Sequence, residues 1–130
     1  MKITRRDVVA SAGTAALLAA LPARALPKEE KKMYGLIGQM KALPGARDKL
    51  VAILLEGVSG MPGCLSYVVA NDPLDSNSIW ITEVWESQEL HRMSLSLPSV
   101  QNAIQQGKPL IAGFGERFVT TPVGGHGLVR

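Results

Sequence analysis

A carboxylate and a tryptophan two positions apart are the first residues of this sequence whose spacing could serve chemistry. Glu83 and Trp85 fall in an alternating segment, so their side chains share one face of the predicted strand. A carboxylate on an otherwise apolar strand face is costly unless it is paired. Glu83 can therefore accept a proton from a substrate, or form a structural ion pair with a basic residue such as Arg117. Trp85 fits either a pocket wall or a plain hydrophobic core.

Two further residues could act on a proton or hold an oxygen atom. His91 is the only histidine between positions 33 and 123, and it falls near the start of a predicted helix. Histidine suits general-base work near neutral pH, and the alternative is a lone surface histidine on a helix. Tyr67, on the preceding predicted strand, has a hydroxyl that can hold a substrate oxygen or cap a polar edge of the core. The residue types alone leave both alternatives open for each side chain.

Several other chemistries lack the residues that they need. No group of His, Cys, Asp and Glu has metal-ligand spacing, and neither a glycine-rich phosphate loop nor a nucleophilic triad can be assembled. Cys64 is the only cysteine, so no intrachain disulfide can form. It is better explained as a small buried hydrophobe than as a nucleophile. We therefore expect neither a metal nor another cofactor.

The net charge of +3 belongs entirely to the first 25 residues. The chain has 14 basic and 11 acidic residues, and the first 25 residues hold four of the basic ones against Asp7 alone. Ten basic and ten acidic residues therefore remain in the rest of the chain. A neutral remainder has no electrostatic footprint for nucleic acid, so that class of partner is excluded.

The N-terminal segment predicts a cleavable export signal over residues 1–25. Adjacent arginines, Arg5 and Arg6, precede an apolar run of about 14 residues, shorter than the roughly 20 that span a bilayer. Small residues around Arg24 then supply a cleavage point after Ala25. The arginine pair resembles the twin-arginine signal, although Val and Ala stand where that signal favours Phe, Leu and Lys. A general secretory signal, a membrane anchor and a core helix are the weaker alternatives.

The export signal predicts a periplasmic or secreted protein without a stable membrane span after cleavage. Residues 26–32 form a charged linker, residues 33–123 a single domain and residues 124–130 a flexible tail. The domain of about 90 residues is long enough for one hydrophobic core.

Periodicity within the domain predicts six elements in the order β-α-β-β-α-β. Alternation predicts strands over 33–42, 64–70, 79–86 and 114–120. Helical spacing predicts one helix over 46–57 and a second helical region in two parts, which begin at 88 and at 98. Ser87 is a suitable N-cap for the second helical region. Pro98 is suited to the first turn of its second part. In the last strand, Phe114 and Phe118 alternate with Arg117. The order is that of an α+β, ferredoxin-like fold.

Both faces of the predicted sheet are apolar. The third strand presents Ile79, Ile81 and Trp85 on one side, and Trp80 and Val84 on the other. A single layer of helices covers only one face, and a bare second face would be an exposed apolar patch of a kind that soluble monomers seldom tolerate. We therefore expect a homodimer formed through the sheet faces.

Short motifs in order along the domain resemble the antibiotic biosynthesis monooxygenase family. Gly63-Cys64-Leu65-Ser66-Tyr67 resembles that family's G-C-x-x-Y, and Glu83-Val84-Trp85-Glu86-Ser87 resembles its E-x-W-x-S. Leu97-Pro98-Ser99-Val100 and Pro109-Leu110-Ile111-Ala112-Gly113 resemble later segments. The resemblance covers residues 33–123.

The resemblance implies a dimeric α+β barrel and oxygenation of a small quinol or phenolic substrate by molecular oxygen, without flavin, metal or haem. In that chemistry Trp85 and Tyr67 would bind and orient the substrate, while His91 and Glu83 would assist proton removal. The alternatives are a non-catalytic small-molecule-binding dimer of the same fold and an isomerase-type or lactonase-like relative.

Two departures from the family pattern bear on the activity. Quinol monooxygenases of the family have further histidines where this chain has Ser94 and Ser99. The haem-degrading branch uses residues that would fall near Ile104, Ser94 and Gly38, and none of these matches. Without an axial ligand haem has no anchor, so haem degradation is disfavoured.

Overall fold

The computed structural model describes residues 32–128. The predicted signal peptide, residues 26–31 of the predicted linker, and the last two residues of the tail lie outside the described residues. Four strands and three helices make up the described chain. They are β1 (Tyr34–Ala42), α1 (Arg47–Gly57), β2 (Cys64–Asn71), β3 (Ser78–Trp85), α2 (Gln88–Ser94), α3 (Pro98–Gly107) and β4 (Ile111–Thr120), with a short 3-10 turn (Lys108–Leu110) before β4.

The four strands form one antiparallel sheet in the order β2-β3-β1-β4. The two central strands, β1 and β3, are therefore adjacent, and β2 and β4 form the edges. This arrangement confirms the predicted ferredoxin-like α+β fold. In the described part of the chain, no helix is long and apolar enough to cross a membrane.

The core lies between the sheet and α1. Ala42, Leu50, Ile79 and Ile81 are buried together, with Ile79 0% and Leu50 1% exposed. Gly57 allows α1 and α3 to approach closely, because a side-chain Cβ at this position would collide with the Cβ of Ala103. Burying such aliphatic side chains supplies roughly 1.5–3 kcal/mol each, so this packing fixes the helix layer over one sheet face.

The other face of the sheet carries apolar side chains that none of the three helices of residues 32–128 covers. Val68 and Phe118 are 52% and 50% exposed, and Ile37, Trp80 and Val84 are only partly buried. The strand register joins Ile37 to Phe118 across the β1–β4 pair and places Val68 two strands away on the same face. The predicted division of β3 into two apolar faces is therefore correct.

The prediction for β4 was wrong in its start and in its alternation. The strand begins at Ile111, and the β1–β4 register shifts between Gly38 and Met40. Phe114 is opposite Met40, whereas Phe118 is opposite Ile37, so the two phenylalanines lie on opposite faces. A bulge inserts one extra residue into a strand and reverses the faces beyond it. The same shift places Arg117, opposite Gly38, on the helix-covered face.

The loop between β2 and β3 is held by one arginine at the start of α1. The Nη1 of Arg47 donates to the carbonyl oxygens of Asp72, Asp75 and Ser78 at 3.2, 2.9 and 3.2 Å. The indole Nε1 of Trp80 also donates to Asp72, at 2.9 Å. These bonds fix the hairpin that aligns β2 with β3, and with it the cross-strand neighbours of the site.

Candidate active site

The end of β3 and the start of α2 place the site residues. Glu83 and Trp85 alternate with outward-facing residues of β3, so both point under the helices. Ser87 caps α2 as predicted, because its hydroxyl accepts a hydrogen bond from the backbone N–H of Leu90 at 3.2 Å. The helix then places His91 back over the end of the strand. A carboxylate, an indole and an imidazole are thus brought to one point by a strand, a cap and one helical turn.

The carboxylate of Glu83 is the centre of the site. Its Oε1 accepts a hydrogen bond from the indole Nε1 of Trp85 at 2.8 Å, and the Nε2 of His91 lies 3.8 Å from the same oxygen. The imidazole packs edge-on against Trp85, with ring centroids 5.3 Å apart, and lies 5.4 Å from the ring of Tyr34. Oε2 has no hydrogen-bond partner among the residues described. One oxygen is therefore fixed while the other remains able to accept a proton.

Burial raises the pKa of Glu83 above its ordinary value of 4.5. The hydrogen bond from Trp85 and the charges of His91 and Arg117 act in the opposite direction, and burial prevails. Only 16% of the side chain is exposed, and 19% of that of His91. A raised carboxyl pKa brings Glu83 closer to the neutral range in which a general base works best.

Tyr67 lies beside Glu83 on the neighbouring strand. The two residues are opposite each other in the β2–β3 pair, so their side chains share a face. Burial first, and then the nearby charge of Glu83, raises the pKa of Tyr67 well above its ordinary value. The hydroxyl therefore stays protonated at neutral pH and can donate a hydrogen bond to a substrate oxygen.

These side chains border a cavity of about 620 Å3 between the sheet and the helices. Its walls are mostly aliphatic and aromatic, whereas Tyr67, Glu83, His91, Ser94 and Lys108 supply polar groups. A largely apolar pocket with a few convergent polar groups is typical of small-molecule sites. The apolar lining includes Met40, Leu50, Leu54, Val58, Met61, Leu95, Val100, Ala103, Ile104, Ile111 and Phe114.

All four site residues predicted from sequence, His91, Glu83, Trp85 and Tyr67, border this one cavity. Trp85 is at once a core residue, at 1% exposure, and a wall of the cavity. The alternative of an ion pair between Glu83 and Arg117 is not what the structure shows, since no such contact within 4.0 Å occurs in residues 32–128. The direct partners of the carboxylate are instead Trp85 and His91.

Ser94 and Cys64 have structural partners. The buried Ser94 donates its hydroxyl hydrogen bond to the carbonyl of His91 at 2.6 Å, so it stabilises the end of α2. The thiol of Cys64 donates to the carbonyl of Ser66 at 3.5 Å, and burial raises its pKa, which keeps it protonated. Within residues 32–128 no cluster of three or more His, Cys, Asp or Glu side chains could hold a metal ion.

Sequence reasoning did not assign the apolar residues that complete the cavity. Leu54 of α1 and Ile104 of α3 are examples, and helical periodicity identifies them only as core positions. Which inward side chains pack tightly and which border a void depends on how far the helices stand from the sheet.

The structure therefore defines a small α+β domain in which a carboxylate, an imidazole and an indole border an apolar cavity. The antibiotic biosynthesis monooxygenase family profile matches residues 33–106. The chain belongs to the antibiotic biosynthesis monooxygenase family.

Solved structures agree with this assignment. A protein of Chloroflexus aurantiacus J-10-fl, described by inference as an antibiotic biosynthesis monooxygenase, has 67% sequence identity to this chain. The match covers 75% of this chain and 99% of the other chain, and its TM-score is 0.73. A protein of Caulobacter crescentus CB15 with the same inferred description is 17% identical, covers 72% and 92%, and has a TM-score of 0.66. PA3566 of Pseudomonas aeruginosa is 18% identical, covers 75% and 100%, and has a TM-score of 0.65. The last two support the fold alone. No curated protein matches the sequence.

Proposed function

We propose that this protein is a monooxygenase that oxidises a small quinol or phenol with molecular oxygen and without a bound cofactor. The observation that carries the proposal is the carboxylate of Glu83, held through one oxygen by Trp85 beside His91, at the wall of an apolar cavity. Such a group can remove the phenolic proton of a substrate. The phenolate that results has a more electron-rich aromatic ring.

The reaction balances without an external reductant. One hydroquinone and one dioxygen molecule give one hydroxyquinone and one water molecule. The substrate loses four electrons, one oxygen atom forms a bond to ring carbon, and the other leaves as water together with two hydrogen atoms of the hydroquinone. The phenolic proton goes to Oε2 of Glu83, or to His91, before an electron passes from the substrate anion to oxygen. The proton held by the base then passes to the oxygen atom that leaves as water, which returns the base to its starting state.

Positioning falls to the two aromatic residues. The hydroxyl of Tyr67 donates to a substrate oxygen, and the indole of Trp85 forms an apolar wall against which the ring packs. Holding the ring next to the base converts proton transfer into a step within one complex. Exclusion of water from the apolar cavity also strengthens the interaction of the phenolate with its donors.

The test is oxygen uptake by the purified domain with a panel of hydroquinones and naphthols. We expect uptake above the autoxidation rate with at least one member, and a loss of about 100-fold in His91→Ala and Glu83→Gln. His126→Ala, which changes the histidine outside the site, is the matched control and should retain full uptake. Uptake by the parent protein that is no greater than in buffer, or uptake that is unchanged in both His91→Ala and Glu83→Gln, would count against the proposal.

A second function, non-catalytic binding of a small aromatic molecule, is favoured by one specific observation. The hydroxyl of Ser94, at the position of a family histidine, is engaged by the carbonyl of His91 and supplies no base. Under this alternative, hydroquinones bind with measurable affinity by calorimetry under nitrogen, while oxygen uptake stays at background.

For the assembly, we propose a homodimer formed through the exposed sheet faces. The uncovered Val68 and Phe118, next to Trp80 and Val84, support it. Light scattering should give twice the chain mass at micromolar concentration, and Val68→Lys should give the monomer mass. Leu55→Lys on α1 is the control, because Leu55 is equally exposed, at 52%, on the opposite side. A monomeric parent protein would contradict the proposal.

Export by the twin-arginine route to the periplasm remains part of the proposed function. Its support is the sequence of residues 1–25. Replacing Arg5 and Arg6 together by lysine should retain the protein in the cytoplasm, and mass spectrometry of the exported form should give a chain beginning at Leu26. Unchanged export of the double-lysine variant would point to the general secretory route.

A further inference from the structure

A second cavity of about 390 Å3 adjoins the candidate active site over β1 and β4. Both cavities share Met40, Glu83 and Phe114 in their linings. A substrate whose reactive ring lies beside Glu83 can therefore extend past Met40 and Phe114 into the second space. A single-ring quinol does not need this extra volume. The second cavity can therefore hold a substituent that is attached to the ring.

Gly38 leaves the floor of the second cavity open. A Cβ at this position would have no other atom within 4 Å. In the sheet, Gly38 lies between Ile81 of β3 and Arg117 of β4. The missing side chain therefore creates a gap between the strand of Glu83 and the strand of Arg117.

Arg117 supplies a positive charge at the edge of this gap. Its guanidinium makes neither a hydrogen bond nor an ion pair within 4.0 Å among residues 32–128. It is nonetheless near enough to the site to oppose the rise in the pKa of Glu83. Five N–H donors in one plane match the two oxygens of a carboxylate better than any neutral group.

We propose that Gly38 and Arg117 form a subsite for a carboxylate carried by the substrate, so that the ligand is an aromatic acid with a quinol or phenol ring. The ring lies beside Glu83 and Trp85, its side chain passes over Gly38, and its carboxylate meets the guanidinium of Arg117. This assignment rests on the proposed function, because that function places the ring beside Glu83.

Glu116 is the other charged residue that borders the second cavity besides Glu83 and Arg117. A carboxylate there repels an anionic ligand and weakens the contribution of Arg117. The affinity for an aromatic acid should therefore change in opposite directions when these two neighbours are neutralised. That opposite response distinguishes a charge-reading subsite from a general loss of packing.

The experiment measures the binding of 2,5-dihydroxyphenylacetate and its methyl ester by calorimetry under nitrogen, so that no oxidation is needed. We expect the acid to bind about threefold to fivefold more tightly than the ester, the upper range for an ion pair at an exposed arginine. Arg117→Met should bring the ratio near one, and Glu116→Gln should increase it. Arg92→Met, at an exposed arginine paired with Glu89 on α2, is the control and should leave the ratio unchanged.

Raising the salt concentration should weaken binding of the acid and leave binding of the ester unchanged. Equal affinities for acid and ester, or an equal loss for both in Arg117→Met, would overturn the subsite. Preferential binding of the acid without oxygen uptake would support the subsite while the proposed monooxygenase activity fails. The two conclusions are therefore separable, and the Glu116→Gln variant tests the subsite even where Arg117→Met does not fold.

Discussion

Replacing Glu83 by glutamine tests the centre of the proposed mechanism with the smallest change in shape. The amide oxygen can still accept the 2.8 Å hydrogen bond from the indole of Trp85, so the geometry of the site is retained. The amide cannot take a proton from a phenol. The variant therefore separates the role of the carboxylate as a base from its role in packing.

The expected loss follows from the presence of a second base. General-base catalysis contributes roughly 100- to 10,000-fold to a rate. His91 lies 3.8 Å from the carboxylate and borders the same cavity, so it can take over part of the proton transfer. The lower end of the range is therefore expected, a fall of about 100-fold in kcat/KM, which is about 2.7 kcal/mol of transition-state stabilisation.

The pH dependence gives an independent check. Activity of the parent protein should rise with pH through the raised pKa of Glu83, since only the ionised carboxylate accepts a proton. The groups that face this carboxylate are His91, Arg117, Tyr67 and Cys64. Oxygen uptake measured from about pH 5 to about pH 9 should show that rise in the parent protein, and the rise attributable to Glu83 should be absent in Glu83→Gln.

Folding stability should respond to pH in the opposite direction. Because burial raises the pKa of Glu83 in the folded state, the folded protein retains the proton at a pH at which the unfolded chain has lost it. The contribution of Glu83 to the free energy of unfolding is therefore largest below pH 4.5 and falls as the pH rises through the folded-state value. Urea unfolding should show this decrease in the parent protein and less of it in Glu83→Gln. A variant with more than half the parent kcat/KM, and the same decrease of stability with pH, would refute the role of Glu83.

Three further substitutions have defined outcomes. Trp85→Phe removes the hydrogen bond that lowers the pKa of Glu83, so the rise of oxygen uptake with pH should move to higher pH; Trp80→Phe, on the other face, should leave it in place, and an equal movement in both would contradict the assignment. Tyr67→Phe removes the protonated donor, so KM should rise about fivefold to tenfold with a smaller change in kcat; a change confined to kcat would exclude a role in binding. Ser87→Ala removes the cap of α2 and should cost about 1 kcal/mol in urea unfolding, whereas the exposed Ser96→Ala should cost almost nothing.

The secondary structure was predictable wherever local signals agreed with the final packing. Ser87 illustrates this, because a serine followed by a helical pattern needs only its own neighbours to form a cap. β3 was equally clear, since most of its residues are β-branched or aromatic. The alternation of β4 was predicted incorrectly, because the bulge opposite Gln39 arises from pairing with β1, to which local periodicity gives no access.

The candidate site was predictable in its membership and unpredictable in its contacts. His91, Glu83, Trp85 and Tyr67 could be chosen because their chemistry is unusual on apolar elements. The sequence left open whether Glu83 accepts a proton from a substrate or pairs with a basic residue such as Arg117. In the structure its close partners are Trp85, on the same strand, and His91, which α2 places over the end of β3. The sequence suggested Arg117 only as a possible ion-pair partner of Glu83. In the structure, the register shift in β4 places Arg117 at the edge of a cavity.

Sequence alone determined the order of elements, the cap of α2 and the two apolar faces of β3, because each depends on residues adjacent or periodic along the chain. It also located the whole net positive charge in the first 25 residues. Tertiary structure decided the partners of Glu83, the side of the sheet on which Arg117 lies, and the size of the cavities. These features depend on strand register and on the spacing between helices and sheet, which are set by contacts between residues far apart in the sequence.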